Sequence, residues 1–139
     1  TYIFNDRTTA AIGACTMDEC ALAVLATVVR TAVPGQAVID AGTKSLGREP
    51  MRGAAREGFG VVYGQEDVVV RAMSEEHGLL DVSGTDWRPA VGDRVRIIPN
   101  HVCIVVHLFD MVHGVRGEGV ESSWQVAARG RAAHVDVLG

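Results

Sequence analysis

The chain has 139 residues, 47% of them hydrophobic, and a mean hydropathy of +0.16, enough to bury one core and too short for two comfortable domains. Its net charge of −4, isoelectric point near 5.7 and scattered arginines exclude a basic nucleic-acid surface. No apolar run approaches the roughly 18 residues of a membrane span and the N-terminus has no secretory layout, so one soluble, cytoplasmic unit over 1–139 is expected, without nucleic acid or membrane as partner.

In chain order, Tyr2-Ile3-Phe4 runs into the turn formers Asn5-Asp6 and predicts a first strand entered without a leader, as if the chain began mid-protein. From Asp18 to Thr31 two readings stand level. Asp18 suits a helix N-cap and the Ala and Leu content suits a helix, whereas Val24, Thr27, Val28 and Val29 favour a buried strand. Pro34-Gly35 makes a turn, Ala37 to Asp40 a short strand, and Ala41 to Leu46 a loop. Gly47 to Gly58, with Pro50, Gly53 and mixed charges, reads as irregular, with room for one helical turn.

Val61-Val62-Tyr63 and Val68 to Met73 predict a hairpin across Gly64-Gln65-Glu66-Asp67. Ser74 to Gly78 is a charged connection, Leu79 to Val82 a short strand, Pro89 to Asp93 a tight turn and Arg94 to Ile98 a cleanly alternating strand. Extended through Ile97 to Phe109, strand spacing puts Val102, Ile104, Val106 and Leu108 on a core face. His101, Cys103, Val105, His107 and Phe109 then share the other. Met111 to Val115 and Val120 to Ala127 predict a last hairpin across Gly117-Glu118-Gly119, and Arg129 to Gly139 a loosely held tail. Many short strands at close spacing predict an all-β fold, a small barrel or a sandwich.

Three cysteines cannot all pair within the chain, so Cys15, Cys20 and Cys103 are expected to be reduced. On a regular strand the Cβ atoms of His101 and Cys103 lie roughly 7 Å apart, close enough for Nε2 at about 2.1 Å and Sγ at about 2.3 Å to meet on one zinc ion. Two protein ligands leave positions for water or substrate, the pattern of a catalytic metal and not of a closed structural one. The competing reading is a buried cysteine beside a hydrogen-bonded histidine, because His-x-Cys is short and unspecific. Lys44, the only lysine, either holds an anionic group or a cofactor aldehyde, or is a solvated loop residue. Glu75, Glu76 and His77 offer an acid–base group or a solvated turn. His107 offers a further ligand or a polar wall to the site. Cys15 and Cys20 lack a partner cluster at zinc-ribbon spacing and read as ordinary thiols.

Taken in order, Tyr2 to Asp6, Val38 to Leu46, Ser74 to Gly78, Gly92 to Val95 and Pro99-Asn100-His101-Val102-Cys103 resemble the C-terminal domain of the D-serine dehydratase and D-threonine aldolase family over nearly the whole chain. The resemblance implies a β domain that follows a pyridoxal phosphate-binding (β/α)8 barrel of the alanine-racemase type. Such a barrel needs about 250 residues, so it lies outside this chain and carries the Schiff-base lysine, which sets Lys44 aside. The resemblance also makes Asp18 to Thr31 a strand and His101 and Cys103 the ligands of zinc or another divalent metal. It implies a homodimer acting on a small β-hydroxy D-amino acid, the metal serving the β-hydroxyl and pyridoxal phosphate the electron sink. A cysteine at 103 is similar to the dehydratase branch, whereas the aldolase branch tends to have aspartate. His77 and His107 are candidates for a base. The sequence departs from the family pattern after Cys103, with Ile104-Val105 in place of a common Pro-Thr and His107 in place of a frequent asparagine, so the natural substrate stays open. A free-standing β domain that binds a metal or a partner without catalysis is the reading of another class.

Overall fold

A computed structural model describes residues 3–51 and 57–129. Alternation sets its architecture. Along β1 (Val24–Arg30), Val24, Ala26 and Val28 point inward while Leu25 is exposed, as expected of a strand with one buried face. The same rule applies to β2 (Gln36–Ile39) and β5 (Gly78–Asp81). With β3 (Gly60–Val62), β4 (Gln65–Met73) and β6 (Arg94–Pro99) these strands close a barrel in the order β1-β2-β5-β4-β3-β6, every neighbour antiparallel. The all-β expectation therefore resolves to a closed barrel, which leaves none of its six strands with an open edge.

One side of the barrel wall is buried on both faces. Val62, Val68, Val70 and Ile97 join the interior, whereas Val61, Val69 and Ile98 form a second cluster outside it with Cys20. Ala10, Cys15, Met17 and Ala23 cover that cluster, so the N-terminal segment is packed onto the outside of β3, β4 and β6. Burying both faces explains why Ile97-Ile98 and Val68-Val69-Val70 are unbroken apolar runs. Cys20 sits in this seam, and its desolvation, followed by the neighbouring Cys15 thiol, pushes its pKa from 9.0 up to about 12.

Three sequence expectations are corrected. The first is the opening strand. Ile3-Phe4 lies in a turn, and Asp6 instead caps α1 (Arg7–Ala11), its Oδ1 accepting from the Thr9 N–H at 2.9 Å while Thr9 Oγ1 accepts from the Asp6 N–H at 2.8 Å. This reciprocal cap satisfies donors that a strand would have left to a ladder. The second is the loop after Asp40, which contains one helical turn, α2 (Thr43–Leu46). Its N-terminus is tied down by Thr43 and Lys44 N–H groups donating to the Ser74 and Glu75 carbonyls at 2.9 and 3.1 Å.

The third correction falls on the stretch expected to hold the site. The strand ends at Pro99, and α3 (Val102–Leu108) follows with His101 at its N-cap. A helical period replaces the alternating one, so the buried pair is Val102 and Val105, and Ile104 is exposed. Val105 and Leu46 both belong to the interior cluster, where α2 and α3 close one end of the barrel. In Asp18 to Thr31 the strand begins only at Val24; a 3-10 turn occupies Met17–Glu19, capped by Glu19 Oε2 accepting from the Thr16 N–H at 2.8 Å.

The remaining strands expected within the described residues are present with small shifts. The β3–β4 turn is Tyr63-Gly64, tighter than the loop expected, with Gly64 at φ +75°. The last hairpin, β7 (Met111–Arg116) with β8 (Gly119–Gln125), forms its own two-stranded sheet. Residues 130–139 of the expected tail, and 52–56 of the expected irregular segment, lie outside the described residues.

Candidate metal centre

The turn between β6 and α3 is held by a buried polar clamp. Pro99 still pairs with Gly60 across the β3–β6 ladder, and the next residue, Asn100, turns inward to 3% exposure. Its Nδ2 donates to the carbonyls of Glu49 at 2.9 Å and Gly58 at 2.7 Å, and its Oδ1 accepts from Arg7 Nη1 at 3.2 Å. The Asn100 carbonyl accepts from Thr8 Oγ1 at 2.6 Å and from the Thr8 N–H at 3.3 Å. Burial lowers the Arg7 pKa from its ordinary value. Every donor and acceptor on the Asn100 side chain is thus matched, as a buried amide requires.

The second half of the clamp is Asp6, which is completely buried. Its Oδ1 serves α1, and its Oδ2 accepts from the Val102 N–H, the first of α3, at 3.0 Å. His101 makes no side-chain cap. Asp6 supplies that cap from the far end of the chain, satisfying an orphan N–H with a charge of favourable sign.

His101 and Cys103 therefore stand at the rim, on either side of a fixed residue. The His101 side chain is 37% exposed, with Nδ1 lying 3.3 Å from Glu49 Oε2. Cys103, second in α3, is exposed. Cys15, Cys20 and Cys103 are all reduced thiols. The competing reading of a buried cysteine at 103 is thereby overturned, and the expected shared strand face is replaced by a helix start at which Cys103 is exposed and His101 partly so. Among the described residues no third His, Cys, Asp or Glu joins two others in a metal-binding group.

The other candidates are dispersed. His107 is exposed on the last turn of α3, four residues from Cys103 and hence on the same side of the helix, not on a strand face shared with His101. His77 is exposed in the β4–β5 turn, where its N–H donates to Ser74 Oγ at 3.3 Å and its carbonyl accepts from the Ser74 N–H at 2.9 Å. Lys44 projects from α2 and pairs with Glu76 at 2.5 Å, both side chains largely in solvent. That pairing raises the lysine pKa, mainly through the hydrogen bond to Glu76, and so opposes the neutral amine a Schiff base needs.

The sequence reading gives Asp6, Arg7, Glu49 and Asn100 no part in the site. A signal was present for two of them. Asp6-x-x-Thr9 is a capping pattern, and Asn100 is a polar residue directly after three that continue a buried strand. Nothing local marks Glu49.

Residues 21–115 match the family described as "Putative serine dehydratase domain". The chain belongs to that family. Within it, the chain is 38% identical over 125 residues to an uncharacterized protein of Mycobacterium tuberculosis, a match covering 86% of this chain and 92% of that protein. It is 36% identical over 113 residues to the 3-hydroxy-D-aspartate aldolase of Paracoccus denitrificans, covering 81% of this chain and 27% of the aldolase. The solved structure of the D-threo-3-hydroxyaspartate dehydratase of a Delftia species superposes with a TM-score of 0.75 at 31% identity, covering 89% of this chain and 36% of the dehydratase. The chain thus spans about a third of the enzymes it matches and nearly all of the mycobacterial protein. Two variants of a D-threo-3-hydroxyaspartate dehydratase are also similar structures: one replaces a histidine by alanine, the other a cysteine two positions further on, the latter in the metal-free form.

No helix among the described residues is long and apolar enough to cross a membrane.

Proposed function

We propose that this chain is the metal-binding β domain of a pyridoxal phosphate-dependent D-amino acid lyase of the D-serine dehydratase type, with zinc or another divalent ion held by His101 and Cys103. The observation that carries the proposal is the His101-Val102-Cys103 rim, clamped from beneath by buried Asp6 and Asn100. A histidine and a cysteine at the same spacing, each replaced by alanine in a similar D-threo-3-hydroxyaspartate dehydratase, the cysteine variant in the metal-free form, support it. The donor set fits the metal: an imidazole and a thiol suit zinc, and two ligands from the chain leave room for a substrate oxygen. When bound, the metal supplies Lewis-acid polarisation to the β-hydroxyl of a small β-hydroxy D-amino acid.

The chain's own residues do the positioning. Asp6 and Asn100 fix the backbone on both sides of His101, so the two donors are presented without the cost of ordering a loop. Val105 and Leu46 close the barrel end behind them and keep that side dry. Exposed His77 and His107 are the candidates for a base. Lys44 does not fit a Schiff base to pyridoxal phosphate, since it is solvent-exposed and held by Glu76. The cofactor and its lysine belong to a barrel domain that precedes this one, which the length of the enzyme relatives supports. The working protein is cytoplasmic and a homodimer, and residues 1–139 are one domain that turns over no substrate alone.

A second reading is favoured by the mycobacterial relative, which is of this domain's size: a β domain that binds a metal or a partner and catalyses nothing. The experiment is metal analysis of the complete protein, with whatever precedes this domain in its natural chain, and of its His101→Ala and Cys103→Ala variants, with product identification from D-serine and D-threonine. Pyruvate and ammonia establish a dehydratase, glycine and acetaldehyde an aldolase. Metal without either product establishes the second reading. Unchanged metal content in both variants overturns the site.

A further inference from the structure

We infer that Glu49 is a positioning residue for the metal, holding His101 through Nδ1 so that Nε2 is the nitrogen presented to the ion. The inference rests on the metal site proposed above and deepens it. Glu49 Oε2 lies 3.3 Å from His101 Nδ1. The backbones of both partners are held by one residue, because Asn100 precedes His101 in the chain and donates through Nδ2 to the Glu49 carbonyl at 2.9 Å. Asn100 is itself buried and bonded on every side-chain atom that can bond. The backbones that carry the pair are therefore held by the fold beneath it.

Its value is not stability. With the histidine 37% and the glutamate 52% exposed, such a pair contributes at most about 1 kcal/mol. What a carboxylate on Nδ1 does is place the ring proton there and turn the lone pair of Nε2 outward. The two ring nitrogens point in different directions, so a carboxylate engaged at Nδ1 leaves the ion to the far side of the ring. Glu49 acts through His101 and is not a ligand itself.

The test is zinc binding by the whole chain labelled with 15N-histidine, measured for the wild type, Glu49→Ala and Glu49→Gln by competition with a chromophoric chelator, with the His101 nitrogens read by NMR. The expected result is a zinc-bound His101 protonated at Nδ1 and ligated through Nε2, and an affinity loss of about tenfold or more in Glu49→Ala. Glu49→Gln, which keeps an acceptor oxygen but no charge, is expected to fall between. Ligation through Nδ1, or unchanged affinity in Glu49→Ala while His101→Ala abolishes binding, overturns the role of Glu49 and leaves the metal site standing. Absence of zinc binding by the wild type overturns both.

Discussion

Asp6 and Val102, 96 positions apart in sequence, meet through one hydrogen bond of 3.0 Å from the Val102 N–H to Asp6 Oδ2. The same carboxylate caps α1 through Thr9. One buried charge thereby sets the start of two helices and the exit angle of the chain at His101.

Asp6→Ala removes these acceptors and leaves the Val102 N–H without a partner, at a cost of about 2–4 kcal/mol. Urea denaturation followed by circular dichroism should show a lower midpoint with an unchanged slope. Asp6→Asn, which keeps one acceptor oxygen, should lose less. A wild-type midpoint in Asp6→Ala contradicts the clamp.

How much of this was legible in the sequence follows from the same contact. Strands such as Arg94 to Ile98 were readable because their burial alternates locally, whereas Val24 to Arg30 fitted helix and strand equally and became a strand only through the family resemblance. The 102–108 helix was not readable. Ile104-Val105-Val106 has the β-branched composition of a strand, and the N-terminal cap that makes it a helix comes from a residue at the other end of the chain. The pair at 101 and 103 could be named from its chemistry and family resemblance, while its geometry needed that long-range contact. Glu49 was invisible for the same reason, since its position depends on a bond from Asn100.

Gly47 is required by two independent constraints, a φ of +72° and a Cβ position 2.6 Å from Ile104 Cγ2 on α3. Gly47→Ala should destabilise by about 2–3 kcal/mol, combining left-handed strain with overpacking. Adding Ile104→Ala should recover the steric part and leave about 1 kcal/mol of backbone strain. Equal denaturation midpoints for the single Gly47→Ala variant and the wild type would remove both constraints.

The thiols should react in order of exposure. Cys103 is exposed, Cys15 half-buried and Cys20 buried, and desolvation keeps the Cys20 thiol protonated up to about pH 12. Iodoacetamide at pH 8 followed by peptide mass mapping should label Cys103 first and Cys20 last in the native protein. Early labelling of Cys20 would contradict the sealed seam between the N-terminal segment and the barrel.

That seam also gives a pH dependence. Between 9.0 and about 12 the folded state retains a Cys20 proton that the unfolded chain releases, so the folded state binds more protons and stability falls as pH rises through this window. The contribution is fully present below pH 9.0. Cys20→Ala should flatten the fall relative to the wild type in urea titrations at pH 8, 9 and 10. Parallel curves for the two proteins would show that the thiol is not the group responsible.

The central claim is that the β6–α3 rim binds a metal through His101 and Cys103. Zinc titration of the wild-type chain beside Cys103→Ala tests it most directly, each protein first shown to be folded by circular dichroism. One zinc per wild-type chain is expected, and none held by the variant at the same concentrations. Equal zinc binding by the two proteins would contradict it.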